Sequence, residues 1–191
     1  MPQMNESDFK KHMETGDLSG LYVLYGDEKY LVRRYAGKLI RKACGDNPFP
    51  DFNYQRFDGS VPVDDIAAAV ESLPFMSERK CVVVSDLAPD SLRAGENSKW
   101  QELAANVPET TVLVVYQPNT VPEKKAPKWN AFLKLAVKHG RTVSFDRREG
   151  PDLEKWLCGE AAKRKCELSR KEARKMMELC GNDMQTLHNE M

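Results

Sequence analysis

Leu21-Tyr22-Val23-Leu24-Tyr25-Gly26-Asp27-Glu28-Lys29-Tyr30-Leu31 is the stretch that decides the fold. Five apolar or aromatic residues in a row, closed by Gly-Asp, read as a strand buried on both faces. From Glu28 the period changes. Tyr30, Leu31, Arg33, Arg34, Tyr35, Lys38, Leu39 and Ile40 follow a helical repeat that Gly45 ends. A buried strand running straight into an amphipathic helix is the opening of a βαβ unit. Downstream, Phe52–Phe57 reads as a weaker strand closed by the turn Asp58-Gly59-Ser60. Val63–Glu71 reads as a short helix that Pro74 prevents from continuing. Lys80–Ser85, with Cys81-Val82-Val83-Val84 at its centre, is another buried strand. A loose segment, Ala88–Ser98, precedes a short helix over Trp100–Ala105 and a strand over Thr111–Tyr116. Pro118–Pro127 reads as loop, Trp129–His139 as a helix ended by Gly140, and Thr142–Phe145 as the last strand. Strands alternating with helices predict an α/β domain, its mostly parallel sheet covered on both faces.

After Gly150-Pro151 the strand pattern stops. Leu153, Trp156, Leu157 and Ala161 define a helix ending near Lys165. Ser169, with Glu172 three residues on, spells a capping box for a second helix that runs through Met176, Met177 and Leu179 to Gly181. A third helix starts at Asp183. The expected division is therefore an α/β domain over residues 1–147 and an all-helical module over 148–191. Leu187-His188-Asn189-Glu190-Met191 reads as the middle of a helix, so the chain is expected to be a truncated piece of a longer protein.

The composition narrows the functional classes. In 191 residues, Lys+Arg 29 balance Asp+Glu 29, which argues against a free-standing polybasic binder of nucleic acid or membranes. The five cysteines (Cys44, Cys81, Cys158, Cys166, Cys180) contain no CxxC pair and read as free thiols in a reducing compartment. Met1–Lys11 has no apolar core of a secretory signal. The apolar runs fall far short of the ~18 residues a membrane helix needs. A water-soluble, cytoplasmic chain is expected.

In an α/β chain the place for a nucleotide site is the turn after the first strand. A phosphate-binding loop needs G-x-x-x-x-G-K-[ST], whose glycines let backbone N–H groups wrap the phosphates. Gly26-Asp27-Glu28-Lys29 lacks the second glycine and the Ser/Thr, and puts two carboxylates where phosphate charge would go. A strand-to-helix turn with acidic residues at the helix N-terminus accounts for it better. Asp86, at the end of a strand, resembles a metal-binding aspartate of nucleotide sites but reads as a turn former or cap. His12, His139 and His188 lie too far apart for a metal-ligand motif, and no nucleophile elbow or Cys/His pair is recognisable. No catalytic residue, metal or cofactor is therefore assigned. Lys124, Lys125 and Lys128 beside Trp129 could track single-stranded nucleic acid, although a core role for Trp129 with solvated lysines fits better. A degenerate nucleotide- or phosphate-binding enzyme is the other alternative. In Ser72-Leu73-Pro74-Phe75-Met76-Ser77, core packing competes with a second reading: Pro74 turns the chain where Phe75 and Met76 project as an exposed apolar tip.

Taken together, four stretches resemble the delta subunit of the bacterial DNA polymerase III clamp loader. They are Leu21–Leu31, Leu73–Lys80 with the Cys81–Val84 strand, Phe132–Gly140, and Cys180–Glu190. The resemblance implies an AAA+-like domain whose nucleotide position, at Gly26, Asp27, Glu28 and Lys29, no longer works. The start of a small helical lid would follow, with the family's C-terminal collar domain absent. It implies a non-catalytic subunit of the polymerase complex that binds the beta sliding clamp and helps open it for loading onto DNA. Other implied partners are the gamma/tau and delta prime loader subunits and, through the complex, primer-template DNA; no membrane is implied. The clamp-binding wedge of the family falls on Leu73, Pro74, Phe75 and Met76.

Overall fold

A continuous apolar run can be a strand only if helices cover both of its faces, and this is how β1 (Gly20–Tyr25) lies, with Leu21–Leu24 buried. In the computed structural model, which describes residues 3–45, 49–93, 95–120 and 126–191, β1 sits inside a five-stranded, wholly parallel sheet. The other strands are β2 (Tyr54–Asp58), β3 (Lys80–Ser85), β4 (Thr111–Tyr116) and β5 (Arg141–Ser144). Their spatial order is β2-β3-β4-β1-β5. Leu21 pairs with Leu113 and Val23 with Thr142, while Tyr54 pairs with Cys81 at the far edge.

The first helices are α1 (Glu6–Thr15), α2 (Lys29–Cys44), the short α3 (Pro50–Asn53) and α4 (Val63–Glu71). They are followed by α5 (Glu96–Ala105) and α6 (Pro127–His139). Alternate strand residues Leu21, Val23, Val82, Val84, Leu113 and Val115 form one core with Ile66 and Val70 of α4, Trp100 of α5, and Trp129 and Phe132 of α6. On the opposite face Phe9 of α1 and Tyr35 of α2 pack with Tyr22 and Phe145. Each fully buried Val or Leu contributes about 1.5–3 kcal/mol, so the central strands dominate the stability of this domain.

The chain divides into two compact units, Met1–Phe145 and Asp146–Met191. The second holds α7 (Gly150–Lys163), α8 (Arg170–Cys180) and α9 (Met184–Asn189). The capping box forms: the Ser169 side chain accepts from the Glu172 N–H, and Glu172 reaches back to the Ser169 N–H at 2.8 Å. Within this unit Leu153, Leu157, Met184 and Leu187 make the core.

Several elements differ from the sequence reading. Helix α1 was not anticipated, because its polar sequence buries only Phe9 and Met13; Asn5 caps it by accepting from the Asp8 N–H at 2.9 Å. The strand expected from Phe52 begins at Tyr54, and residues 50–53 form a helical turn instead. Helix α5 starts at Glu96, inside the segment expected to be loose, and a single 3-10 turn, Pro89–Ser91, lies ahead of it.

Candidate functional site

Parallel α/β sheets bind ligands beyond the carboxyl ends of their strands, where the strand order switches direction. Here that place lies at the end of β1, between β4 and β5. Gly26 opens the turn with φ 139°, and a Cβ there would collide with the backbone of Phe145, so no other residue fits without displacing β5's continuation. The Glu28 N–H donates to the Phe145 carbonyl at 3.0 Å. The buried Glu28 side chain accepts from the Tyr30 N–H at 3.3 Å and caps α2, the role expected of an acidic residue at a helix start.

Lys29 does not face an open cradle. Its ammonium donates to the carbonyls of Gln117, at 3.1 Å, and Thr120, both just past β4. Burial holds its pKa below the ordinary lysine value, against the opposing pull of Asp86 and Asp27. Asp86 occupies the end of β3 with φ 54°. It accepts from the N–H groups of Asn119 and Thr120, each at 3.0 Å, from Asn119 Nδ2 at 2.7 Å and from Thr120 Oγ1 at 3.1 Å. Burial pushes this carboxyl up, but the four hydrogen bonds outweigh it and hold the pKa below the usual aspartate value. Asp86 is thus a cap on the β4 loop. Among the described residues no group of three or more His, Cys, Asp or Glu could hold a metal ion, and no helix is long and apolar enough to cross a membrane.

The second place is the connection from α4 to β3. Helix α4 ends at Glu71 with Ser72 as its C-cap, as Pro74 requires. Lys80, buried at the start of β3, donates to the Ala69 carbonyl and to Ser72 Oγ (2.6 Å), placing a cation at the helix C-terminus. On the far side Arg79 donates to the Leu18 carbonyl at 2.8 Å and pairs with Asp17. Between these anchors the tip is apolar and open: Leu73 is 84% exposed, Met76 72% and Phe75 47%, with Pro74 partly buried. The Phe75 ring lies against Phe49 (centroids 5.3 Å apart) and Phe52 (5.0 Å). Met76 holds φ 47°, a left-handed conformation unusual for a residue with a side chain. Leu73–Met76 therefore lies outside the core, and Leu73 offers more free surface than Phe75.

The remaining candidates separate. Trp129 is buried, edge-on to Tyr25 at 5.7 Å, and offers no face to a base. Lys128 reaches the Asp90 carbonyl at 3.0 Å, while Lys124 and Lys125 lie outside the described residues. Asn53, Lys80 and Phe52 were missed as site residues. Asn53 and Phe52 read as members of an alternating strand, and only a break in that alternation before Tyr54 could have flagged them.

The order of strands and the crossover connections define a parallel α/β domain in which Lys29 and Asp86, beside the switch point, both bond to the segment after β4. The sequence profile of the family "DNA polymerase III, delta subunit" matches residues 22–145, and the chain belongs to that family. Over 80 residues it is 36% identical to the DNA polymerase III subunit delta of Bacillus subtilis (strain 168), covering 41% of this chain and 23% of that protein. Among solved structures it resembles the Bacillus subtilis DNA clamp loader delta protein (YqeN), with a TM-score of 0.73 at 22% identity. It also resembles a DNA polymerase III, gamma subunit-related protein from Thermotoga maritima, with a TM-score of 0.54 at 13% identity. Each match covers 96% of this chain, and 55% and 56% of the two solved chains respectively, a likeness of fold. The chain thus spans about half the length of these solved structures.

Proposed function

We propose that this chain is the clamp-binding part of a DNA polymerase III clamp loader: a non-catalytic subunit that grips the beta sliding clamp and helps hold it open for loading onto DNA. The tip carries the proposal. Large apolar side chains held out on a backbone anchored at both ends form the kind of contact that dominates protein interfaces, because little ordering is left to do on binding. The proposed mechanism is differential binding: a partner that prefers the open clamp shifts the opening equilibrium by its affinity difference for the two states. The switch point acts as a strut, since Lys29 and Asp86 are already engaged and ATP would have to displace both networks. In this reading Met1–Phe145 is an AAA+-like domain without ATPase function and Asp146–Met191 belongs to a helical lid. The gamma/tau and delta prime subunits would be its partners in the cytoplasm, with primer-template DNA reached through the complex.

Titration of the chain into the sliding clamp from the same source tests this. A saturable complex is expected, and it should be lost in a Leu73→Asp, Met76→Asp double variant that unfolds at the wild-type temperature. No saturable complex, or one indifferent to the two substitutions, refutes the reading.

A further inference from the structure

We infer that the docking surface has a second half, the helical turn α3, in which Phe52 extends the apolar face and Asn53 fixes the backbone that presents Phe75. The inference rests on the reading of Leu73–Met76 as the clamp contact, and its occupant is the same sliding clamp.

Asn53 is 2% exposed, and its amide is turned toward the tip. Nδ2 donates to the Phe75 carbonyl at 2.7 Å and to the Phe49 carbonyl at 3.3 Å, while Oδ1 accepts from the Phe75 N–H at 2.7 Å. One side chain thereby satisfies both backbone groups of a residue 22 positions away, as a neighbouring strand would. The next residue, Met76, sits in the left-handed region, a conformation that persists only where the surroundings over-determine it. Asn53, with Lys80 at the preceding helix end, supplies that determination.

Phe52 precedes Asn53 and is 63% exposed, with its ring 5.0 Å from that of Phe75 and inclined at 37°. Phe75 therefore joins two exposed apolar groups: Leu73 and Met76 beside it in the chain, Phe52 beside it in space. Single exposed aromatics are common on protein surfaces, but contiguous ones mark contacts. A clamp pocket that takes Leu73 and Phe75 meets Phe52 on the flank, and this continuity assigns the turn to the same partner.

Clamp affinity, thermal unfolding and hydrogen exchange on this chain test the inference. Leu73→Ala reports on the underlying reading. Phe52→Ala should weaken binding about five- to tenfold with no loss of thermal stability. Asn53→Ala should weaken it to a similar degree and speed exchange of the Phe75 amide. Asn53→Asp, which keeps the size and loses the donor, should behave likewise if the alanine variant is poorly folded. Because Asn53 acts through Phe75, its effect should shrink in a Phe75→Ala background. If Leu73→Ala weakens binding while Phe52→Ala and the Asn53 variants bind normally, the second half is refuted and the tip stands. Additive losses for Asn53 and Phe75, with unfolding lowered, would make Asn53 merely structural. Normal binding by Leu73→Ala would remove the clamp reading itself, and this inference with it.

Discussion

Truncating Leu73 to alanine should separate docking from folding more cleanly than any other change at the tip. In the free chain 84% of Leu73 is exposed, so its removal takes almost nothing from the core. Complete burial of a leucine is worth about 1.5–3 kcal/mol, and most of that remains to be gained on binding, leaving roughly 1.3–2.5 kcal/mol. At ~1.4 kcal/mol per factor of ten, Leu73→Ala should weaken clamp binding by about eight- to sixtyfold. The same reasoning gives Phe75, 47% exposed because Phe49 and Phe52 already cover one side, only about a three- to tenfold loss from newly buried surface. The ranking, Leu73 ahead of Phe75, follows from the geometry. Equilibrium affinity for the sliding clamp and the thermal midpoint, measured on both variants, provide the check. Unchanged binding by Leu73→Ala would refute the docking role. A drop of many degrees in its unfolding temperature would show that the leucine is packed, contrary to its exposure.

Three further outcomes are expected. Gly26→Ala should destabilise the α/β unit by ~3 kcal/mol or more, since it combines a backbone conformation reserved for glycine with a collision against Phe145; a wild-type denaturant midpoint would contradict it. His12 is held below its ordinary pKa of 6.5 by burial, then by Arg141 and Lys42, while its Nε2 lies 2.8 Å from the Tyr22 hydroxyl. The unfolded chain then binds the proton more readily, so stability present above pH 6.5 should be lost as the pH falls through 6.5 toward the folded pKa, and His12→Gln should flatten that part of the curve of thermal midpoint against pH. Trypsin should cut first in the latter half of the chain at Arg147, exposed in the helix-free segment ahead of α7; cleavage inside α7 instead would misplace the expected boundary.

The parts legible in the sequence are those where one residue type can satisfy only one structure. Cys81–Val84 and Val112–Val115 are apolar on both faces, which only a central parallel strand accommodates, and Ser169 with Glu172 names a helix start by its own chemistry. Helix α1 was hidden because Phe9 and Met13 are its whole buried face and their spacing is lost among charged neighbours. The turn at 50–53 was read as strand because Phe52, Tyr54 and Arg56 alternate with Asn53, Gln55 and Phe57. The true register begins only where Tyr54 pairs with Cys81, information held 27 residues downstream. The apolar tip was visible as composition, yet its exposure was not: Leu73 and Phe75 would suit a core equally well, and Lys80, Arg79 and Asn53 hold them outward from other elements.

Those holding residues share one use of polar chemistry. Lys29, the first residue of α2, and Asp86, just past β3, both direct their charge at backbone groups of the loop after β4. Lys80 does the same for the end of α4, and Asn53 for Phe75. A charged or amide side chain committed to backbone carbonyls and N–H groups removes freedom from the segment it grips. For an anchor that must enter a partner's pocket, that loss of freedom before binding is affinity not forfeited during binding. The segment after β4 and the tip are then held by the same kind of contact, a polar side chain bonded to backbone groups. In the proposed reading the apolar residues that these struts hold outward are the surface that meets the clamp.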